Sequence, residues 1–221
     1  MQSSEIINNI NQLYDYFRVP PNLRLHMFRV ASVSKIICEN WNGPKLNQDD
    51  VVAVCLMHDL GNIVKYDFDH SINLMGEEAK RVEYWKKVKE EVVAKYGKGE
   101  YEATFNMAEE LGINDRLKFL LTNYKFIKNS GIVNSDDFDL KISNYGDYRV
   151  GPFGILTIQQ RLSDFKERYS KKGLYCERPD MIAAIQNMFT LEKQIFDNTS
   201  IKPEDINDGS VKKYLDVFNN L

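Results

Sequence analysis

Hydrophobic residues recur every three or four positions along most of this chain, which is the spacing typical of amphipathic α-helices. In the first predicted helix, capped by Ser3 or Ser4, the apolar positions are Ile6, Ile7, Ile10, Leu13 and Phe17. The Pro20-Pro21 pair ends that helix and starts a second one, which runs to about Trp41. We find no run of β-branched residues alternating with polar ones, so the pattern predicts an all-α fold.

The third predicted helix, over about 48–66, is apolar on nearly all sides in its first half. Asn47 caps it, and Asp49 and Asp50 place negative charge against the positive end of the helix dipole. A helix without a polar face is typical of the centre of a fold. Further helices are predicted at 76–97, 100–111, 114–129, a segment ending near 149, 157–170, 179–197 and 203–219, with a loop at 130–140.

Composition and charge narrow the classes of protein that this chain can represent. Its 221 residues are 43% hydrophobic and 28% charged, as in soluble globular proteins, and no linker divides them, so a single domain over 1–221 is predicted. The net charge of −3 disfavours binding of large nucleic acids through phosphate neutralisation. Cys38, Cys55 and Cys176 form no CxxC pair, which argues against a zinc knuckle or a redox dithiol.

Targeting segments are missing from the amino-terminal sequence. The first residues lack a basic region followed by an apolar stretch, which a signal peptide would need. No apolar run reaches the roughly 18 residues of a membrane span. We therefore expect a cytoplasmic protein that does not act at a membrane.

Two of the three histidines lie beside apolar positions of predicted helices. His26 is on or next to the apolar stripe of the second helix, and His58 precedes Asp59 inside the most hydrophobic helix. An ionised aspartate in that setting costs several kcal/mol, by rough estimate, unless it is paired or bound to a metal. Two interpretations stay open at this point: a hydrogen-bonded core pair, or a site for Zn, Fe, Mn, Ni or Co.

The surroundings of these residues resemble the HD superfamily of metal-dependent phosphohydrolases. The motifs are His26 followed by Arg29-Val30-Ala31, then His58-Asp59-Leu60-Gly61-Asn62, and then Asp147 within Tyr145-Gly146-Asp147-Tyr148. The resemblance covers about residues 20–165 and implies a helical bundle of the HD-domain type, on which C-terminal helices at about 170–221 pack. It also implies one divalent metal ion (Zn, Fe, Mn, Ni, Co or Mg) held by His26, His58, Asp59 and Asp147.

Other residues compete for the last ligand position or bear on the number of metals. Asp136, Asp137 and Asp139 are more simply loop and cap residues, and Asp164 falls on a charged helix face. Family members that bind two metals have further histidines, but this chain has Tyr101 where one would be expected. A mononuclear site is therefore favoured over a di-iron oxygenase or a cyclic-dinucleotide phosphodiesterase.

The family resemblance implies hydrolysis of a small phosphate ester, with a nucleotide as the first candidate, by water that the metal activates. The catalytic residues would then be His58, Asp59 and Lys65. Residues that could contact the phosphate or the rest of the substrate are Arg29, Lys65, His70 and Arg149. The general acid stays open among Asn62, Asp67 and Glu77.

A second function is compatible with the same motifs. The chain could be a non-catalytic HD-fold module that binds a nucleotide or a protein partner. The complete ligand set favours the enzyme, because a binding module does not need all four residues. The C-terminal helices leave two roles open, as a cap over the pocket or as the contact in a homodimer.

Overall fold

A computed structural model of the protein describes residues 1–69, 72–124, 129–171 and 179–221. These ranges contain twelve α-helices and no β-strand, which confirms the predicted all-α class. The helices are α1 Ser3–Asn8, α2 Ile10–Tyr16, α3 Pro21–Glu39, α4 Gln48–Met57, α5 Val82–Tyr96, α6 Glu100–Glu110, α7 Asp115–Thr122, α8 Asn129–Val133, α9 Phe138–Tyr148, α10 Ile158–Lys171, α11 Pro179–Phe196 and α12 Asp208–Asn219. Short 3-10 segments are Asn62–Lys65, Ile72–Arg81 and Pro203–Asp205.

Helix α4 lies at the centre of the described fold. Every residue from Asp50 to Met57 is buried. Helices α1, α3, α7 and α9 all pack against it, and α3 and α9 also pack against each other. A helix that is apolar on every side is stable only when it is surrounded in this way, because any exposed face would leave apolar surface in water. The residues at its end are therefore held by a buried, closely surrounded helix.

The end of α4 differs from the sequence prediction. The helix ends at Met57, His58 is its C-terminal cap, and the chain continues into the 3-10 segment Asn62–Lys65 instead of remaining α-helical to residue 66. The cause is a close approach of α6. The Gly61 N–H donates to Thr104 Oγ1 at 3.0 Å, and a Cβ on Gly61 would lie 2.5 Å from the Thr104 backbone nitrogen. Only glycine fits between these two segments.

Four other predicted boundaries also differ from the structure. The first helix is divided at Asn9, whose backbone angles (φ −112°, ψ 15°) are not helical. The helix predicted at 76–97 begins at Val82, after a 3-10 segment, and the one predicted at 114–129 ends at Thr122. The predicted loop 130–140 contains α8. Boundaries of this kind depend on long-range packing, which local periodicity does not report.

The C-terminal helices α11 and α12 pack against earlier helices of the fold. Helix α11 packs on α8 and α9, whereas α12 packs on α2 and α3. No helix among the described residues is both long and apolar enough to cross a membrane.

Candidate metal centre

His58 is held with one ring nitrogen available to bind a metal ion. Its Nδ1 donates to the Cys55 carbonyl at 2.8 Å, which leaves the lone pair on Nε2. The ring also stacks on Tyr124, at 4.6 Å between centroids, and the Tyr124 hydroxyl is anchored on the Ser143 carbonyl. Nε2 is buried and has no hydrogen-bond partner among the described residues. A buried nitrogen of this kind needs a partner, and a metal ion would supply one.

Asp147, on α9, lies opposite the two histidines. His26 Nε2, on α3, is 3.2 Å from Asp147 Oδ1, and His58 Nε2 is 3.9 Å from the same oxygen. One donor atom from each of the three residues lies within 4.8 Å of the other two, so this group could hold a metal ion. The packing of α3, α4 and α9 thus brings together residues that are far apart in the sequence.

Gly146 allows α9 to approach α3 closely enough for this contact. A Cβ at this position would lie 2.2 Å from Ser34 Oγ and 3.0 Å from the Val30 carbonyl oxygen. A side chain here would therefore push the two helices apart. The next residue is Asp147, so the close approach of the two helices also determines where its carboxylate lies relative to α3.

Asp59 contributes the second carboxylate from the turn after α4. Its Oδ2 is 3.7 Å from both His26 Nε2 and His58 Nε2, and it accepts a hydrogen bond from Asn62 Nδ2 at 2.6 Å. The side chains of Asp59 and Asp147 are 24% and 30% exposed, so they are less buried than the sequence suggested. His58 thus forms the buried wall of the site, whereas His26 and the two carboxylates are all partly exposed to solvent.

The observed separations fit a single bound ion. Donor atoms around a tetrahedral ion with bonds of about 2.1 Å lie roughly 3.4 Å apart. The four measured nitrogen–oxygen distances range from 3.2 to 3.9 Å. His26, His58 and Asp147 already form a mutually close group, and Asp59, which is outside that group, would have to move toward the ion to become the fourth ligand. Two imidazole nitrogens and two carboxylates suit Zn, Fe, Mn, Co or Ni.

Electrostatics keeps Asp147 in the form that binds cations. Burial by itself raises the pKa of this carboxyl group. The hydrogen bond from His26 and the favourable electrostatic interactions with His58, His26 and Arg161 outweigh burial, so the pKa of Asp147 lies well below its ordinary value. The side chain is therefore ionised at neutral pH.

Arg149 is buried and bonded to groups within the protein, which disfavours the phosphate contact predicted for it. Its side chain is buried, with the residue only 1% exposed. The guanidinium donates to the Leu156, Pro203 and Ile206 carbonyls and to the Tyr145 hydroxyl. These bonds tie the end of α9 to the segment before α12. The group is a structural crosslink and has little donor capacity left for a substrate.

The remaining predicted substrate contacts differ in position. The Arg29 guanidinium is half-buried and donates to the Phe153 carbonyl at 3.2 Å, on the side that faces Asp208. Lys65 forms an ion pair with Glu100 at 3.1 Å, and its side chain is 52% exposed. Its charge acts on Tyr101 together with the charges of Asp59 and Asp147. Lys65 is therefore the predicted contact that stays near the site, whereas His70 lies outside the described residues.

Three residues near the centre gain roles that the sequence did not indicate. Arg161 is close enough to lower the pKa of Asp147, and Tyr124 supports the His58 ring. Asn62, considered above as a general acid, instead holds the Asp59 oxygen that faces both histidines. Its spacing, three residues after Asp59, was a usable signal, because that is one turn along a helical segment.

Replacement of Asn62 by leucine is expected to weaken metal binding by about 10- to 100-fold, because residues that orient a ligand contribute this much to affinity. Leucine keeps the side-chain size at this buried position. Calorimetric titration with Mn²⁺ or Zn²⁺ measures the change. As a matched control, Asn11→Leu removes a hydrogen bond to the Phe218 carbonyl, away from the centre. Equal affinities for Asn62→Leu and Asn11→Leu would show that Asn62 does not position Asp59.

A comparison with protein-family models matches residues 24–116 to the HD domain. The matched segment contains His26, His58 and Asp59 and ends before Asp147. No curated protein and no solved structure matches the chain.

Proposed function

Since residues 24–116 of this chain match the model of the HD domain, we propose that the protein is a metal-dependent phosphohydrolase that releases phosphate from a small phosphate ester. The observation that carries the proposal is the convergence of His26, His58, Asp59 and Asp147 around the unpartnered Nε2 of His58. A nucleotide is the first substrate class to test.

The proposed ligands are these four residues. A divalent cation held by them would supply Lewis acidity toward a phosphoryl oxygen and would acidify a coordinated water. His58 offers Nε2 in a fixed tautomer, and Asp147 offers a carboxylate that stays ionised at neutral pH. Asp59, oriented by Asn62, completes the set on the solvent side.

Positive charge for the phosphoryl oxygens would come from Lys65. Its ion pair with Glu100 is half-exposed, and pairs of this kind contribute little stability, so the ammonium group can turn toward a bound phosphate at small cost. Arg161, which pairs with Asp164 at 3.2 Å, is a second cation near Asp147. Arg149 is not included among these cations, because its guanidinium is hydrogen-bonded within the protein.

Metal analysis followed by a substrate panel tests this function. We expect the purified protein to contain about one transition metal ion per chain. Phosphate release from at least one ester should then require that ion and stop when a chelator removes it. A protein that binds nucleotides but releases no phosphate with any divalent cation would instead be a non-catalytic HD module. A protein without a bound metal, and without metal-dependent release, would refute the proposal.

A further inference from the structure

A cleft of about 320 Å³ opens next to His58, between α6 and α7. Its apolar lining comes from Tyr101 and Phe105 on α6 and from Leu121 on α7. Volumes of this order are found in small-molecule pockets. Because His58 is also a proposed metal ligand, the cleft borders the candidate metal centre.

Two contacts fix α6 against the segment that carries the ligands. The Gly61 N–H donates to Thr104 Oγ1, and Lys65 pairs with Glu100 at the start of the helix. This anchoring places Tyr101 near the centre. Burial raises the pKa of its hydroxyl group, and the nearby carboxylates, those of Asp59 and Asp147 among them, raise it further.

Tyr101 and Phe105 are four residues apart and therefore lie on the same face of α6, about 6 Å apart along its axis. A group attached to a phosphoryl at the centre and extending into the cleft would lie against this face of α6. Aromatic side chains at such positions stack on flat rings, with little dependence on the identity of the ring.

The charge of the cleft disfavours an extended phosphate chain. Among the residues that the structure describes, no lysine or arginine lines it, whereas Glu102 does. Lys65 and Arg161, the two cations assigned above to the phosphoryl group at the centre, do not line the cleft. A second or third phosphate in the cleft would face Glu102 without a compensating charge, which costs free energy.

We propose that this cleft binds the uncharged organic group of the substrate through ring stacking on Tyr101 and Phe105, and that the protein therefore selects monophosphate esters of flat aromatic groups. The assignment rests on the proposed function, because it places the phosphoryl group at the metal centre. It adds the substrate class: a ring-bearing phosphomonoester, and not a polyphosphate.

Replacement of Phe105 by leucine tests this assignment. Phe105 lies about one helical turn from Tyr101. The measured quantity is the ratio of kcat/KM for adenosine monophosphate to kcat/KM for glycerol phosphate, which has no ring. We expect this ratio to fall about tenfold, within the range known for loss of one stacked aromatic side chain. As a matched control, Phe119→Leu changes a half-exposed phenylalanine on α7 that does not line the cleft, and it should leave the ratio unchanged.

Equal ratios for Phe105→Leu and the unaltered protein would overturn the proposal, as would a higher kcat/KM for adenosine triphosphate than for the monophosphate. Binding of adenosine alone, followed by saturation-transfer NMR, separates this result from failure of the proposed function. If no ester is hydrolysed but Phe105→Leu weakens adenosine binding, the cleft assignment stands and the hydrolase fails. If hydrolysis occurs and adenosine binding does not change in Phe105→Leu, the cleft assignment fails.

Discussion

Changing Asp59 to asparagine is expected to remove the bound metal and to lower phosphate release about a thousandfold, which corresponds to roughly 4 kcal/mol of transition-state stabilisation. The Oδ2 atom of Asp59 lies 3.7 Å from Nε2 of both histidines, so a neutral amide there would remove negative charge where the cation would bind. Elemental analysis of the purified variant and a phosphate-release assay measure the two effects.

Two further variants make this prediction specific. The donor atoms of His26, His58 and Asp147 all lie within 4.8 Å of one another, so Asp147→Asn should also lose the metal. Asp136 is exposed and precedes α9, and Asp136→Asn should therefore keep both metal and activity. If Asp59→Asn retains the metal and the activity whereas Asp147→Asn loses them, the ligand set consists of three residues and Asp59 is not one of them.

Changing Arg149 to methionine is expected to lower the free energy of unfolding by about 3 kcal/mol or more. Methionine has a similar length but no donors, so three carbonyl oxygens and the Tyr145 hydroxyl would lose a charged hydrogen-bond partner inside the protein. For a chain of this size, that loss corresponds to a decrease in Tm of roughly 6–12 °C. Thermal and urea unfolding, followed by circular dichroism, measure it.

The control for this variant is an exposed arginine. Arg18 forms one ion pair with Glu91 and its side chain is 40% exposed, so Arg18→Met should change stability by less than about 1 kcal/mol. The kinetics distinguish the two roles considered for Arg149. If Arg149→Met keeps its stability but has a raised KM for the phosphate ester, Arg149 contacts the phosphate, as the sequence suggested.

Much of the helical framework could be predicted from local patterns. The apolar character of α4 on all sides predicted its central position, because such a helix has no face that favours water. Its end could not be predicted in the same way. The helix stops at Met57 because α6 approaches Gly61, and α6 begins at Glu100, far along the chain.

The acidic residues that competed with Asp147 for the last ligand position also show what the sequence alone could not predict. Asp137 and Asp139 both pair with Arg116 at 2.7 Å, and Asp164 pairs with Arg161. Asp137 also caps α9, as expected for a residue at the start of a helix. Asp147 alone among these acids lies beside His26, at the other end of α9 from Asp137. Sequence context ranked these residues, but only the packing of α9 on α3 showed which one reaches the histidines.

The sequence by itself determined the helical class, the buried position of α4 and the placement of His58 next to Asp59, because these follow from local periodicity and covalent order. The tertiary structure alone decided that His26 and Asp147 meet them, that Arg149 is a structural crosslink and that His58, Tyr101 and Phe105 line one cleft. Each of these depends on how closely two helices pack. That distance is set by contacts such as those of Gly61 and Gly146 with residues far away in the chain.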